Sequence, residues 1–261
     1  MGWTEGDVTL RDGVRLHYYR RGKGSPVILA HGATDNGKCW GRVAEALEGE
    51  FELIAYDARF HGLSDAPADG KFGGGDDLVA FVEALGIERP ALLGHSMGAM
   101  TVAQASASKP ELFRCAVLED PPWWNEPPKG GRPQAMDYST MSVEQIAEEG
   151  RKVTTGWDDS EFPAWAESKK QFRPPTDWMA GFGRRLGQWR EVVAEMRLPA
   201  LLVCGDRAEG GAIVTSAVAA EACSLAPDMR TATLGGAGHN VRREAFSEYL
   251  SVVREFLNEQ K

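Results

Sequence analysis

The sequence has little of what marks a membrane, disulfide-stapled or nucleic-acid-binding protein. Its 261 residues include four cysteines, far apart, and two of them (Cys115 and Cys204) fall inside apolar, strand-like runs. Such thiols read as buried and reduced rather than as disulfides or metal ligands. No stretch nears the roughly 18 uninterrupted apolar residues of a membrane span. The opening MGWTEGDVTL has neither a positive head nor an apolar middle, and Gly6 stands where a myristoylation pattern wants Ser or Thr. A cytoplasmic protein is therefore the expectation. Net charge is -9, and no basic run could track a phosphate backbone, which argues against nucleic acid as a partner. Internal repeats and low-complexity segments are missing too.

What is present is a globular composition, 43% hydrophobic and 26% charged, in a chain long enough to bury a sizeable core. Two β-rich stretches (Asp7–Leu10 and Val14–Tyr19) flank Asp12-Gly13, a dipeptide that favours a type I′ hairpin turn. Short apolar runs at Val27–Ala30, Phe51–Tyr56 and Ala91–Leu93 alternate with helix-period segments at Cys39–Leu47 and Leu78–Leu85. Further strand candidates are Cys115–Leu118, Ala200–Cys204 and Thr231–Leu234, and Ala245–Leu257 reads as a closing amphipathic helix. Strands alternating with helices imply a parallel sheet covered on both faces, with ligands at the strands' carboxyl ends. Residues 121–189 break this rhythm. They hold Trp123, Trp124, Trp157, Trp165, Trp178 and Trp189 but no strand-like run. The expected organisation is a core of residues 1–122 and 190–261 with a helical cap at 123–189.

Gly94-His95-Ser96-Met97-Gly98 fits G-x-S-x-G between a strand (Ala91–Leu93) and a helix-compatible stretch (Ala99–Ala107). That context lifts a serine hydroxyl out on a strained strand-to-helix turn. A serine needs a base to become a nucleophile. Of the five histidines, His239 lies in a glycine-rich loop directly after a strand, at the same sheet edge as Ser96. His95 reads as a packing residue, His31 and His61 as structural hydrogen-bonding residues, and His17 as remote. The backbone N–H of Met97, with that of Ala33 in His31-Gly32-Ala33-Thr34, would supply an oxyanion site. This chemistry calls for no metal and no cofactor.

His31-Gly32, Asp57-Ala58-Arg59-Phe60-His61-Gly62-Leu63-Ser64, Gly94-His95-Ser96-Met97-Gly98 and Ala237-Gly238-His239-Asn240 resemble, in order and spacing, the α/β-hydrolase superfamily. The resemblance spans Asp7–Pro122 and Arg190–Phe256. It implies an eight-stranded, mostly parallel sheet, a Ser–acid–His triad and a helical cap after the sixth strand. Phe60 departs from the glycine usual in that turn. The larger departure concerns the acid, which most members carry after the seventh strand. Here Ala208 stands at that place in Cys204-Gly205-Asp206-Arg207-Ala208-Glu209. A minority of the superfamily, including members similar to the zearalenone hydrolases, carry it after the sixth strand, where this chain has Glu119-Asp120-Pro121-Pro122. Asp120 is favoured over Asp206 and Glu209, with alternation turning Glu119 away.

The resulting expectation is a serine hydrolase that cleaves a carboxylic ester or lactone of an uncharged, hydrophobic small molecule through an acyl-enzyme. Trp123 and Trp124, next to the acid, are expected to line the substrate cleft. Carbon–carbon bond hydrolysis or cofactor-free oxygenation on the same scaffold is the enzymatic alternative. A slowly turning-over, receptor-like binding protein is the non-enzymatic one.

Overall fold

The computed structural model describes residues 2–124, 138–154, 156–175, 188–207 and 211–261. Eight strands form one sheet: β1 (Thr4–Thr9), β2 (Arg15–Gly22), β3 (Ser25–Ala30), β4 (Phe51–Tyr56), β5 (Ala91–His95), β6 (Ala116–Glu119), β7 (Ala200–Gly205) and β8 (Met229–Leu234). Their order is β1-β2-β4-β3-β5-β6-β7-β8. β2 runs antiparallel to both β1 and β4, and every other pairing is parallel.

The apolar runs become interior strands because both of their faces are covered. Ile28, Ala30, Leu92, Leu118 and Leu202 turn to one layer, with the helices Gly75–Leu85, Met97–Ser108, Trp189–Glu195 and Ser216–Leu225. Val27, Leu29, Leu93, Val117 and Leu201 turn to the other, against Gly41–Leu47 and Phe246–Glu259. Period-two alternation along each strand thus feeds two cores at once.

The β1–β2 turn differs from the type I′ expected at Asp12-Gly13. Gly13 N donates to Leu10 O (2.9 Å) and Leu10 N to Val14 O (2.8 Å), while only Gly13, at φ +87, takes the left-handed region in this loop. The result is a three-residue loop ending on a left-handed glycine. A type I′ turn would have required positive φ at Asp12 as well.

Between β6 and β7 the described residues contain no strand. The helices Val143–Val153 and Phe162–Gln171 pack Ile146, Ala147, Phe162 and Ala166 into a small core of their own, flanked by Trp157 and Trp165. The first helix starts with a capping box between Ser142 and Gln145. Side chains of this segment reach the loops that follow β3 and β4: Asn36 Nδ2 donates to Gln171 Oε1 (2.8 Å), and Arg173 donates to the Gly62 carbonyl (3.1 Å). Trp178 lies outside the described residues. Among the described residues no helix is long and apolar enough to cross a membrane.

Candidate active site

Ser96 sits between β5 and the helix Met97–Ser108 at φ +51, ψ -114, a strained conformation that non-glycine residues rarely adopt. Its flanking glycines are there for lack of space. A Cβ on Gly94 would come within 2.3 Å of Gly98 O, and one on Gly98 within 2.0 Å of Ala30 O. Ser96 N donates to Glu119 O on the neighbouring strand, and Ser96 O accepts the first helical bond, from Met100 N. The turn is thereby locked at both ends.

His239 approaches from the loop after β8. Its Nε2 lies 3.0 Å from Ser96 Oγ, and its Nδ1 lies 2.6 Å from Asp120 Oδ2. The carboxylate can only accept, so Nδ1 carries the proton and Nε2 is left free to face the serine. Asp120 follows β6 at φ +39 and is fully buried. Its Oδ1 accepts from Ile213 N (3.2 Å) and Val214 N (3.0 Å), and its Oδ2 also accepts from Ile213 N (3.0 Å). These backbone donors hold the carboxylate in place.

The other acids near the histidine loop do different work. Asp206 Oδ1 accepts from Gly236 N (2.7 Å) and Glu244 Oε2 from Gly238 N (2.7 Å), so each pins the backbone of the loop that carries His239. Glu244 also pairs with Arg207. Glu119 points away from Ser96, accepting from Arg242 N (2.9 Å) and facing the Arg242 guanidinium. Ala208 and Glu209 lie outside the described residues.

His95 packs between these groups, as a buried strand residue should, and also takes part in the loop's anchoring. Its Nε2 donates to the His239 carbonyl at 3.0 Å. Burial first, then the charge of nearby Arg242, pushes its imidazole well below the usual histidine range, so the ring is neutral. His31 is likewise held low by burial; its Nδ1 donates to Gly32 O and its Nε2 accepts from Ala58 N, joining the loops after β3 and β4. His61, buried and shifted further down, donates through Nδ1 to Arg59 O (2.7 Å). Phe60 occupies φ +70, with its ring 4.7 Å from that of Phe72. The left-handed backbone explains why glycine suits this position and the ring contact explains how a phenylalanine persists.

The turn after β3 lies against the serine: a Cβ on Gly32 would sit 2.6 Å from His95 Nδ1 and 3.6 Å from Ser96 Cβ. Ala33 follows it, and Met97 is the first residue of its helix, where an N–H has no intrahelical acceptor. Trp123, expected at the cleft, has no exposed surface; it stacks on Trp189 at 5.2 Å inside the main core. A large ring directly after the β6 turn gains more by filling the space over the sheet than by facing solvent. Trp124 is half-buried, and its carbonyl accepts from Trp189 Nε1 (3.2 Å).

Sequence reasoning missed a buried ion cluster behind the site. Asp35, Glu119 and Glu161 meet Lys169, Arg242 and Arg243, three charges of each sign. Arg242 lies over the Trp40 ring and Arg243 over Trp157. The two adjacent arginines just past His239 were the visible signal, but nothing in the chain order announces their partners 82 to 208 residues away.

Comparison with known proteins gives the family. A family model for the α/β hydrolase fold matches residues 25–162. N-formylmaleamate deformylase of Pseudomonas putida is 30% identical over 256 residues, covering 95% of this chain and 94% of that protein. The 2-(acetamidomethylene)succinate hydrolase of Mesorhizobium japonicum is 26% identical, with 94% and 92% covered. A crystal structure of E-2-(acetamidomethylene)succinate hydrolase superposes with a TM-score of 0.80 at 22% identity, over 98% of this chain and all of that one. The chain is a hydrolase and belongs to the α/β-hydrolase family.

Proposed function

We infer that the chain is a serine hydrolase which removes a small carboxylic acyl group from an ester, lactone or activated amide through an acyl-enzyme. The observation that carries this is the unbroken hydrogen-bond series from Ser96 Oγ through His239 to Asp120. Ser96 Oγ attacks the acyl carbon as His239 Nε2 takes its proton. The oxygen of the tetrahedral intermediate is received by the N–H groups of Met97 and Ala33. His239 returns the proton to the leaving atom, and a water then releases the acid by the same steps in reverse. Asp120 fixes the tautomer and stabilises the imidazolium.

The relatives widen the substrate class. Both are named for substrates bearing an N-acyl group, formyl or acetamido, which supports counting activated amides with esters and lactones. Their names also describe anions, whereas the aromatic content points to uncharged molecules. A short acyl half is what the two relatives' names share, and Trp124 is the candidate wall beside it.

The test is a panel of p-nitrophenyl esters, γ-lactones and N-formyl and N-acetyl enamides, run with wild type and Ser96→Ala. Wild type should turn over short acyl esters, and Ser96→Ala should lose activity by several orders of magnitude. A fluorophosphonate should label Ser96 alone. Labelling that survives Ser96→Ala, or oxygen uptake in step with substrate loss, would replace this reading.

A further inference from the structure

The turn Gly32–Asp35 is closed by Asp35 N donating to Gly32 O (3.1 Å). Its corner residue, Thr34, sits at φ +67, a region that a β-branched side chain enters only when its surroundings hold it there. Ala33, whose N–H is proposed to face the acyl oxygen, immediately precedes this strained corner.

The hold comes from outside the sheet. Lys169, on the helix Phe162–Gln171, donates from Nζ to Thr34 O (3.1 Å), Thr34 Oγ1 (2.9 Å) and Asp35 Oδ1 (2.8 Å). An ammonium has three N–H donors, and all three are directed at two consecutive residues of the turn. The lysine side chain is 6% exposed and that of Asp35 5%, so water does not substitute readily for these bonds. Burial alone would raise the Asp35 carboxyl, but Arg243, Lys169 and Arg242 together keep it well below the usual range and ionised. The second Asp35 oxygen accepts from Arg242 and Arg243, on the short helix that follows His239. One buried carboxylate therefore ties the oxyanion-side turn to the histidine side of the site, and Lys169 is its link to the helical segment between β6 and β7.

Asp35 keeps two guanidinium partners if Lys169 is neutralised, so the substitution does not strand a lone buried charge. What disappears is the clamp on Thr34. We propose that Lys169 is a positioning residue: it holds the Gly32–Asp35 turn so that the Ala33 N–H meets the oxygen of the tetrahedral intermediate. The helical segment thereby completes the oxyanion site without touching the reacting atoms. This rests on the acyl-transfer reading above.

The experiment compares wild type with Lys169→Met, Lys169→Arg, Lys170→Met and Ser96→Ala, using p-nitrophenyl acetate as substrate. Inhibition is measured with 2,2,2-trifluoroacetophenone, which adds Ser96 to form an oxyanion, and with acetophenone, which does not. Removal of one oxyanion donor lowers kcat by roughly 10²–10³-fold, and a displaced donor should approach that. Lys169→Met should lower kcat by about 10²-fold, with KM changed by no more than about twofold. It should weaken trifluoroacetophenone by a similar factor and leave acetophenone alone. Lys169→Arg keeps the charge, but a planar fork cannot aim three donors from one nitrogen; it should lose about tenfold in the same two readouts. Lys170, which among the described residues bonds the Tyr138 and Ser139 carbonyls, is the control, and Lys170→Met should behave as wild type. Should Lys169→Met fail to fold, Lys169→Arg decides by the same criterion. Wild-type kcat and trifluoroacetophenone inhibition in the folded Lys169 variants would overturn the inference, as would an equal loss with both ketones. Full turnover in Ser96→Ala would overturn the acyl-transfer reading and this inference with it; loss there, with no effect at Lys169, would overturn this inference alone.

Discussion

Asp120→Asn offers the sharpest test of how the site is built, because the structure dictates which way the new amide must face. Asp120 Oδ1 accepts from Val214 N, both carboxylate oxygens share the Ile213 N–H, and Oδ2 also meets His239 Nδ1. An asparagine can put its oxygen toward only one side. Turning it to His239 would set the NH2 against the buried Val214 N–H, which cannot relocate its proton as an imidazole can, and an unsatisfied group of this kind is worth about 1–3 kcal/mol. The oxygen will therefore stay with Ile213 and Val214, and the NH2 will face Nδ1. His239 must then carry its proton on Nε2, pointing at Ser96 instead of accepting from it. Wrong-tautomer substitution in the serine-protease example lowers kcat by about 10⁴-fold, equivalent to about 5.5 kcal/mol of transition-state stabilisation. The same order is expected here for p-nitrophenyl acetate, with the far-ultraviolet circular dichroism of wild type. Asp206→Asn should cost about tenfold or less, since an amide oxygen can still accept from Gly236 N. An Asp120→Asn enzyme within tenfold of wild type, or a larger loss in Asp206→Asn, would refute this reasoning.

Other substitutions follow from the same contacts. His95→Phe leaves the buried His239 carbonyl without its donor; kcat should fall roughly tenfold and the urea midpoint should drop by an amount equivalent to about 1–3 kcal/mol. An unchanged kcat would show that the ring only fills space. Gly98→Ala should abolish soluble, active protein, because its Cβ would meet Ala30 O at 2.0 Å; ordinary yield and activity would contradict the packing. His31, His61 and His95 are all depressed by burial, so below about pH 6.5 the unfolded chain binds protons that the native state refuses. Their shared contribution is fully present above that pH and is lost as pH falls. Stability in urea titrations should therefore fall as pH drops from about 6 to about 5, and a flat profile would count against neutral buried rings.

Local patterns made much of this molecule readable. Leu92 and Leu118 lie on one face of the sheet and Leu93 and Val117 on the other because interior parallel strands are apolar throughout, and such runs stand out between helical periods. The turn at Ser96 is legible since its backbone demands Gly94 and Gly98, and the nearness of His239 to it since both follow strands of one parallel sheet. Trp123 was misread because proximity in sequence to Asp120 says nothing about which way a ring turns; its stacking on Trp189 depends on a residue 66 positions away. Lys169, Asp35 and Arg243 were invisible for a related reason. Charged residues normally belong to the surface, and only the fold brings these three inside together.

The position of Asp120, the proposed triad acid, depends on several neighbouring loops at once. In the sheet, β7 lies between β6, which carries Asp120, and β8, which leads to His239. A carboxylate leaving β6 must therefore cross the end of β7 to reach the imidazole. Asp120 does so from a left-handed turn, φ +39, while its own N donates to Val203 O on β7. The chain beyond β7 then meets it with the N–H groups of Ile213 and Val214, and Thr215 caps the next helix through Val218 N. Asp206, at the head of the same loop, binds Gly236 N and steadies the histidine loop from below. The loop after β7 thus supplies donors that fix the Asp120 carboxylate and an acceptor that fixes the loop carrying His239. Shortening 211–214 should then be as damaging to turnover as losing Asp120 itself, because it removes both backbone donors that hold that carboxylate. A deletion variant with wild-type kcat on p-nitrophenyl acetate would show that Asp120 holds its orientation unaided.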